Sequence, residues 1–134
     1  MENLQAICQN VVENVQDGLA CGLVDRNSGL LMAVHHVVPH FSPEYLDAIA
    51  AATVEMFHGR TVKRVEELLS ALRGTLVQDS FEEMFIASTT VFHFMKYIRE
   101  KEVIAILVTR KGASQGLGWA ALRNTLPHFI ANLP

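Results

Sequence analysis

The sequence predicts an α/β sandwich of the α+β kind, with a five-stranded antiparallel sheet between helices. Three observations predict it. Apolar periodicity and turn formers order the chain as α-β-β-α-β-β-β-α. Connections between successive strands are short, which makes hairpins and therefore antiparallel pairs. Residues 19–24 and 103–108 are unbroken apolar runs, the pattern of strands covered on both faces, so helices are expected on both sides of the sheet.

The first helix is read from Leu4, Ile7, Cys8, Val11, Val12 and Val15, a stripe one helical face wide, with Glu2, Gln9, Asn10 and Glu13 off it. Asp17-Gly18 ends it. Residues 19–24 and 30–34 then form two short apolar runs. The turn formers Asp25-Arg26-Asn27-Ser28-Gly29 join them, which predicts a β-hairpin that Pro39 closes. Ser42 caps a new helix with Pro43 at its first position. This helix is expected to run over 43–73, loosened at Gly59. One face carries Leu46, Ile49, Ala50, Thr53, Met56 and Phe57, resumed by Val62, Val65, Leu69 and Leu72. The adjoining face carries Ala48, Ala51 and Ala52, with Glu55 beyond them. Such a methyl patch suits close approach of another backbone, and alanine is also simply the best helix former. The residues alone leave both readings open.

Gly74 ends the helix, and three strands follow over residues 82–90, 91–99 and 103–108. In the first, Phe85 and Ala87 face one way while Met84, Ile86 and Ser88 face the other. In the second, His93, Met95 and Tyr97 oppose Phe92, Phe94, Lys96 and Ile98. The strand around Met84 mixes polar and apolar residues and is expected at a sheet edge. Lys111-Gly112-Ala113-Ser114 turns into a last helix. Its expected buried residues are Leu117, Ala121, Leu122, Leu126, Phe129 and Ile130, and Pro127 is expected to kink or restart it.

Composition narrows the class. The 134 residues fit a single domain over 1–134, without internal repeats, linkers or low-complexity tracts. Half the residues are apolar and 19% are charged, which excludes an intrinsically disordered chain. A net charge of -3 with no basic run gives no electrostatic footprint for nucleic acid. Charge, His or Gly breaks every apolar run within about ten residues, too short for a membrane span. Met1-Glu2-Asn3-Leu4 does not read as a signal peptide. Cys8 and Cys21 lie in apolar surroundings and read as buried thiols of a reducing compartment, so a cytoplasmic protein is expected.

No catalytic constellation emerges. Zinc needs three or four convergent ligands, whereas the neighbours His35 and His36 point to opposite faces, so at most one can join His40. A Cys-His nucleophile pair fails because both cysteines sit at core positions, where a thiol is inert. Glu66-Glu67 and Glu82-Glu83 read as solvated faces. The stretch from Lys111 to Gly118 is glycine-rich and precedes a helix, but it lacks the Gly-Lys-Ser/Thr ending of a P-loop. No catalytic residue, cofactor or metal is expected.

Two stretches carry a family resemblance. Asp17-Gly18-Leu19-Ala20 through Asp25 and Gly29-Leu30-Leu31 is similar to the opening hairpin of the Roadblock-type dynein light chain family. Ile106-Leu107-Val108, then Lys111-Gly112-Ala113-Ser114-Gln115-Gly116-Leu117-Gly118 and Leu122-Arg123, resembles that family's last strand and the start of its final helix. With the element order, the resemblance spans residues 2–129 and points to the bacterial branch. The long middle helix with Gly59 and the His-rich segment 35–40 depart from the usual pattern.

The resemblance implies a profilin/Roadblock-like fold and a non-enzymatic dimer with itself. In such dimers the third strands pair edge to edge and the middle helices pack together. Here that implies an interface of Phe85, Ile86, Ala87 and Ser88 with Ala48, Ala51, Ala52 and Glu55. It also implies a small Ras-like GTPase as partner, since bacterial members bind or regulate such proteins, with no nucleic-acid or membrane partner. Nothing singles out an arginine finger: Arg60, Arg64 and Arg73 on the middle helix are exposed candidates, and helix solubility is the favoured explanation of them. Two rival readings stand beside this one. A small-molecule sensor would use a cavity left by Gly22, Ala33 and Ala105, and a structural subunit would only join a larger complex.

Overall fold

The computed structural model describes residues 3–134, so the reading of Met1-Glu2 lies outside the described residues. The elements are α1 (Leu4–Asn14), β1 (Gly18–Asp25), β2 (Leu31–His36), α2 (Pro43–His58), α3 (Arg60–Arg73), β3 (Glu83–Ala87), β4 (Val91–Ile98), β5 (Val103–Arg110) and α4 (Gln115–Asn132). The strands form one antiparallel sheet in the order β2-β1-β5-β4-β3. The expected architecture is the observed one.

Strand parity divides the core in two. On β5, Val103, Ala105 and Leu107 face α1 and α4, packing with Phe94, Leu122 and Phe129. Ile104, Ile106 and Val108 face the other way, with Ala50 and Phe57 of α2. Phe94, Leu107, Leu122, Phe129, Phe57 and Ile104 are all completely buried. The two unbroken runs are β1 and β5, in the interior of the sheet, and β3 is an edge.

The helix ends follow from their caps. The side chains of Asn3, Ser42 and Ser114 accept hydrogen bonds from the backbone N–H of Ala6, Tyr45 and Leu117. Gly74 closes α3 in the left-handed region at φ 70°.

Five expectations need correction. The helix expected over 43–73 is two helices, because Gly59 takes an extended backbone that closes α2 and caps α3. A Cβ at Gly59 would lie 2.3 Å from the Glu55 carbonyl oxygen, so the break fits only glycine. The expected stripe on α3 is covered only in part: Val62 and Leu69 are half-buried, but Val65 and Leu72 are exposed, Leu72 at 84%. Glu66, read as solvated, is buried. On α4, Leu117 is exposed at 56%, and Gly118 takes the core position, where an added Cβ would lie 2.3 Å from the Phe94 ring. The same helix runs through Pro127 without a restart.

Candidate interaction surface

An antiparallel sheet has two edges, and this one treats them differently. In β3–β4, Tyr97 N–H donates to Glu82 O and Ser88 N–H donates to Val91 O, both at 2.9 Å. With Glu83 opposite Lys96 and Ala87 opposite Phe92, hydrogen-bonded pairs alternate along the ladder. Residues 82, 84, 86 and 88 therefore turn their backbone groups toward β4. Glu83, Phe85 and Ala87 turn theirs outward, and among the described residues nothing meets them.

At the opposite edge, β2 is plugged. Val34 lies across from Gly22 and points its backbone groups away from β1. The Gln5 side chain meets both. Val34 N–H donates to Gln5 Oε1 at 3.2 Å, and Gln5 Nε2 donates to the Val34 carbonyl. An edge strand is a template for pairing unless covered, so β2 is blunted at Val34 while β3 stays open over 83–87.

The residues expected at an interface fall into two groups. Ala48, Ala51, Ala52 and Glu55 are exposed on α2, away from Ala50, Thr53 and Phe57, which are buried against the sheet. On β3, Phe85 packs partly into the core against Phe92 and Phe94, at ring-centroid distances of 5.1 and 5.3 Å. Ile86 and Ala87 are exposed and Ser88 is half-buried. Of these four, Phe85 and Ala87 offer the outward backbone groups, with Glu83. Arg60, Arg64 and Arg73 are exposed on α3, and Arg64 pairs with Glu67 at 3.2 Å.

A polar cluster at the α2–α3 bend gave no signal in the sequence. Arg26 donates to both carboxylate oxygens of Asp79 at 2.8 Å each, and to the Tyr97 hydroxyl at 3.1 Å. Arg99 donates to the Asp79 carbonyl at 2.6 Å. Glu66 accepts from the Ser80 N–H at 2.7 Å and from its hydroxyl at 2.6 Å. These bonds fasten residues 75–82, the segment that leads into β3. His58 sits among them, buried, with Nε2 3.7 Å from Asp79 Oδ1 and no hydrogen bond to either ring nitrogen among the described residues. Burial, and then the charge of Arg26, hold its pKa below the ordinary value against the pull of Asp79 and Glu66. Burial raises the Tyr97 phenol, with Arg26 opposing. The arrangement holds Arg26 against Asp79 and ties Ser80 to Glu66, which fastens the segment before β3 to the β1–β2 turn and to α3.

Among the described residues no group of three His, Cys, Asp or Glu side chains is placed to hold a metal. Cys8 and Cys21 are buried free thiols, and their pairing with burial raises the pKa of Cys21. Of the small residues expected to leave a cavity, Gly22 lines a recess beneath α2, whereas Ala33 and Ala105 are packed into the core on the α1 side. No helix among the described residues is long and apolar enough to cross a membrane.

No family model and no curated protein matches the sequence. Solved structures do. Myxococcus xanthus MglB is 17% identical with a TM-score of 0.68, over 96% of this chain and 95% of that one. A Roadblock/LC7 domain from Streptomyces avermitilis is 15% identical with a TM-score of 0.65, over 96% and 99%. A structure described as MglB with tetrameric arrangement is 16% identical with a TM-score of 0.64, over 89% and 79%. These likenesses establish the fold alone: the chain has a Roadblock-like fold.

Proposed function

We propose that this Roadblock-like chain is a non-catalytic module of the cytoplasm that dimerises with itself and regulates a small Ras-like GTPase. The observation that carries the reading is the asymmetry of the sheet edges. Gln5 covers β2 at Val34, and β3 offers three N–H and three C=O groups to a partner. A twofold axis sets the same strand against itself and joins two five-stranded sheets into one. A five-residue strand is a small contact beside the roughly 1,600 Å² of a standard interface, so helices must add to it. Ala48, Ala51, Ala52 and Glu55 on α2 supply a smooth surface for that, and Val65, Leu68 and Leu72 on α3 supply apolar area. The related structure with a tetrameric arrangement supports self-association of this fold.

The GTPase part rests on the family resemblance. An activator without an active site works by ordering the switch loops of the GTPase. The test is binding of the purified chain to small Ras-like GTPases from its own source, each loaded with GDP or a non-hydrolysable GTP analogue. Binding that prefers one nucleotide state supports the reading. Equal indifference of every such GTPase contradicts it. Replacing Arg64 by Ala then asks whether α3 takes part: an unchanged effect on GTP hydrolysis removes that residue from the mechanism.

A further inference from the structure

On the α2 side the sheet is covered in part only. Strand parity places Arg110 on this side, in line with Ile104, Ile106 and Val108, and His93 in line with Val91, Met95 and Tyr97. Between these strands and the start of α2 runs a groove of about 740 Å³. It leads to a recess of about 50 Å³ walled by apolar side chains, and Phe41, Tyr45, Ile49, His93 and Val108 line both. The size is that of a small-molecule site, roughly 300–1,000 Å³.

Its charge is one-sided. Four basic residues, His40, His93, Arg110 and Lys111, line the groove, and no carboxylate lines either compartment, in a chain whose net charge is -3. Arg110 and Lys111 are exposed at the mouth and make no ion pair with the described residues. Deeper in, His93 lines both compartments, with its ring half-buried beside the Ile86 backbone.

We infer that this groove binds a small amphipathic carboxylate, with an unbranched acyl chain lying along Ile49, Ile106 and Val108 and its head between Arg110 and Lys111. The apolar walls desolvate the chain, the two cations match the anion, and the narrow recess suits the end of a straight chain. The inference is independent of GTPase binding.

Sodium decanoate, below its micelle-forming concentration, is the probe, titrated into the full chain and followed by methyl NMR. Saturable shifts are expected at Ile49, Ile106 and Val108, with none at Val11 or Leu122 on the other side of the sheet. Decanol, the uncharged analogue, is expected to bind about ten-fold more weakly, and the double variant Arg110→Gln/Lys111→Gln is expected to lose about ten-fold for decanoate only. Both replaced side chains are exposed, so the fold is retained. The absence of saturable shifts overturns the inference, and so does a second copy of the chain seated over the groove, which gives the same result. Equal binding of decanol, or an unchanged double variant, overturns the role of the cations. Binding of decyl phosphate but not decanoate overturns the carboxylate head.

Discussion

The side-chain amide of Gln5 exchanges two hydrogen bonds with the backbone of Val34, and that exchange covers the middle of one edge of the sheet. Replacing Gln5 by Ala exposes the outward N–H and C=O of Val34. The cost to the fold is about 1 kcal/mol, the net worth of a typical hydrogen bond. The larger effect is on assembly. Species heavier than the wild-type assembly are expected by light scattering as concentration rises, because a second open edge permits chains of subunits. Ala87→Pro acts on the other edge. It removes an outward N–H at an exposed strand end, where proline is tolerated. A folded monomer is expected, with unchanged far-ultraviolet circular dichroism.

Asp79 stands at φ 50°, held by Arg26 from a position 53 residues earlier. Asparagine tolerates this left-handed backbone, so Asp79→Asn isolates the loss of the charge. The pair is partly exposed, with side chains at 17% and 16%, so the full cost of breaking a buried pair does not apply. A loss of about 1.5 kcal/mol is expected in urea denaturation. Faster hydrogen exchange over residues 75–82 is expected with it, because Arg26 no longer grips that segment. An unchanged midpoint and exchange rate contradict the role assigned to the pair.

Gly118→Ala sets two effects against each other. Alanine is the better helix former by about 1 kcal/mol. Against that, its Cβ would lie 2.3 Å from Cζ of Phe94, a ring that is completely buried. A rigid ring in a closed core has little room to retreat, so the clash wins. Net destabilisation of about 2 kcal/mol is expected in chemical denaturation.

His58 makes stability depend on pH. It faces Arg26 from the β1–β2 turn, Asp79 from the segment before β3, Lys63 and Glu66 from α3, and Tyr97 from β4. Its folded pKa lies below the unfolded value of 6.5. Above that value both states are neutral and the group contributes nothing to the dependence. As pH falls below it the unfolded chain takes up the proton first, so stability declines until the folded pKa is passed. His58→Phe keeps the edge-on contact with Tyr97 and removes the proton site. A shallower loss of stability between pH 7 and pH 5 is expected, read from denaturation curves at each pH. His93, whose pKa burial also lowers, retains its own share.

The sequence carried the architecture because burial has a period. The runs at 19–24 and 103–108 are apolar at every position, as strands covered on both faces must be, and β3 breaks that pattern where one edge is free. Gly59 also left a local mark. The polar cluster left none, since Arg26 and Asp79 meet only through the fold and Asp79 lies in an irregular segment. Glu66 looks like its exposed neighbour Glu67, and only the return of Ser80 buries it. Leu72 shows the limit of periodicity: a helical stripe says which face is apolar, not that this chain covers it. Leu117 and Gly118 show another, because close approach of Phe94 selects the residue with no side chain over its apolar neighbour. The plug on β2 is a single glutamine off the stripe of α1, and nothing around Gln5 announces it.

The open β3 edge is the centre of this account, and absolute mass tests it most directly. Multi-angle light scattering behind gel filtration, over a wide range of loading concentrations, is the measurement. A species of twice the 14.9 kDa chain mass, unchanged on dilution, is the predicted result. A monomer of 14.9 kDa at every concentration would contradict the pairing of β3 with its own copy, and the regulatory dimer with it.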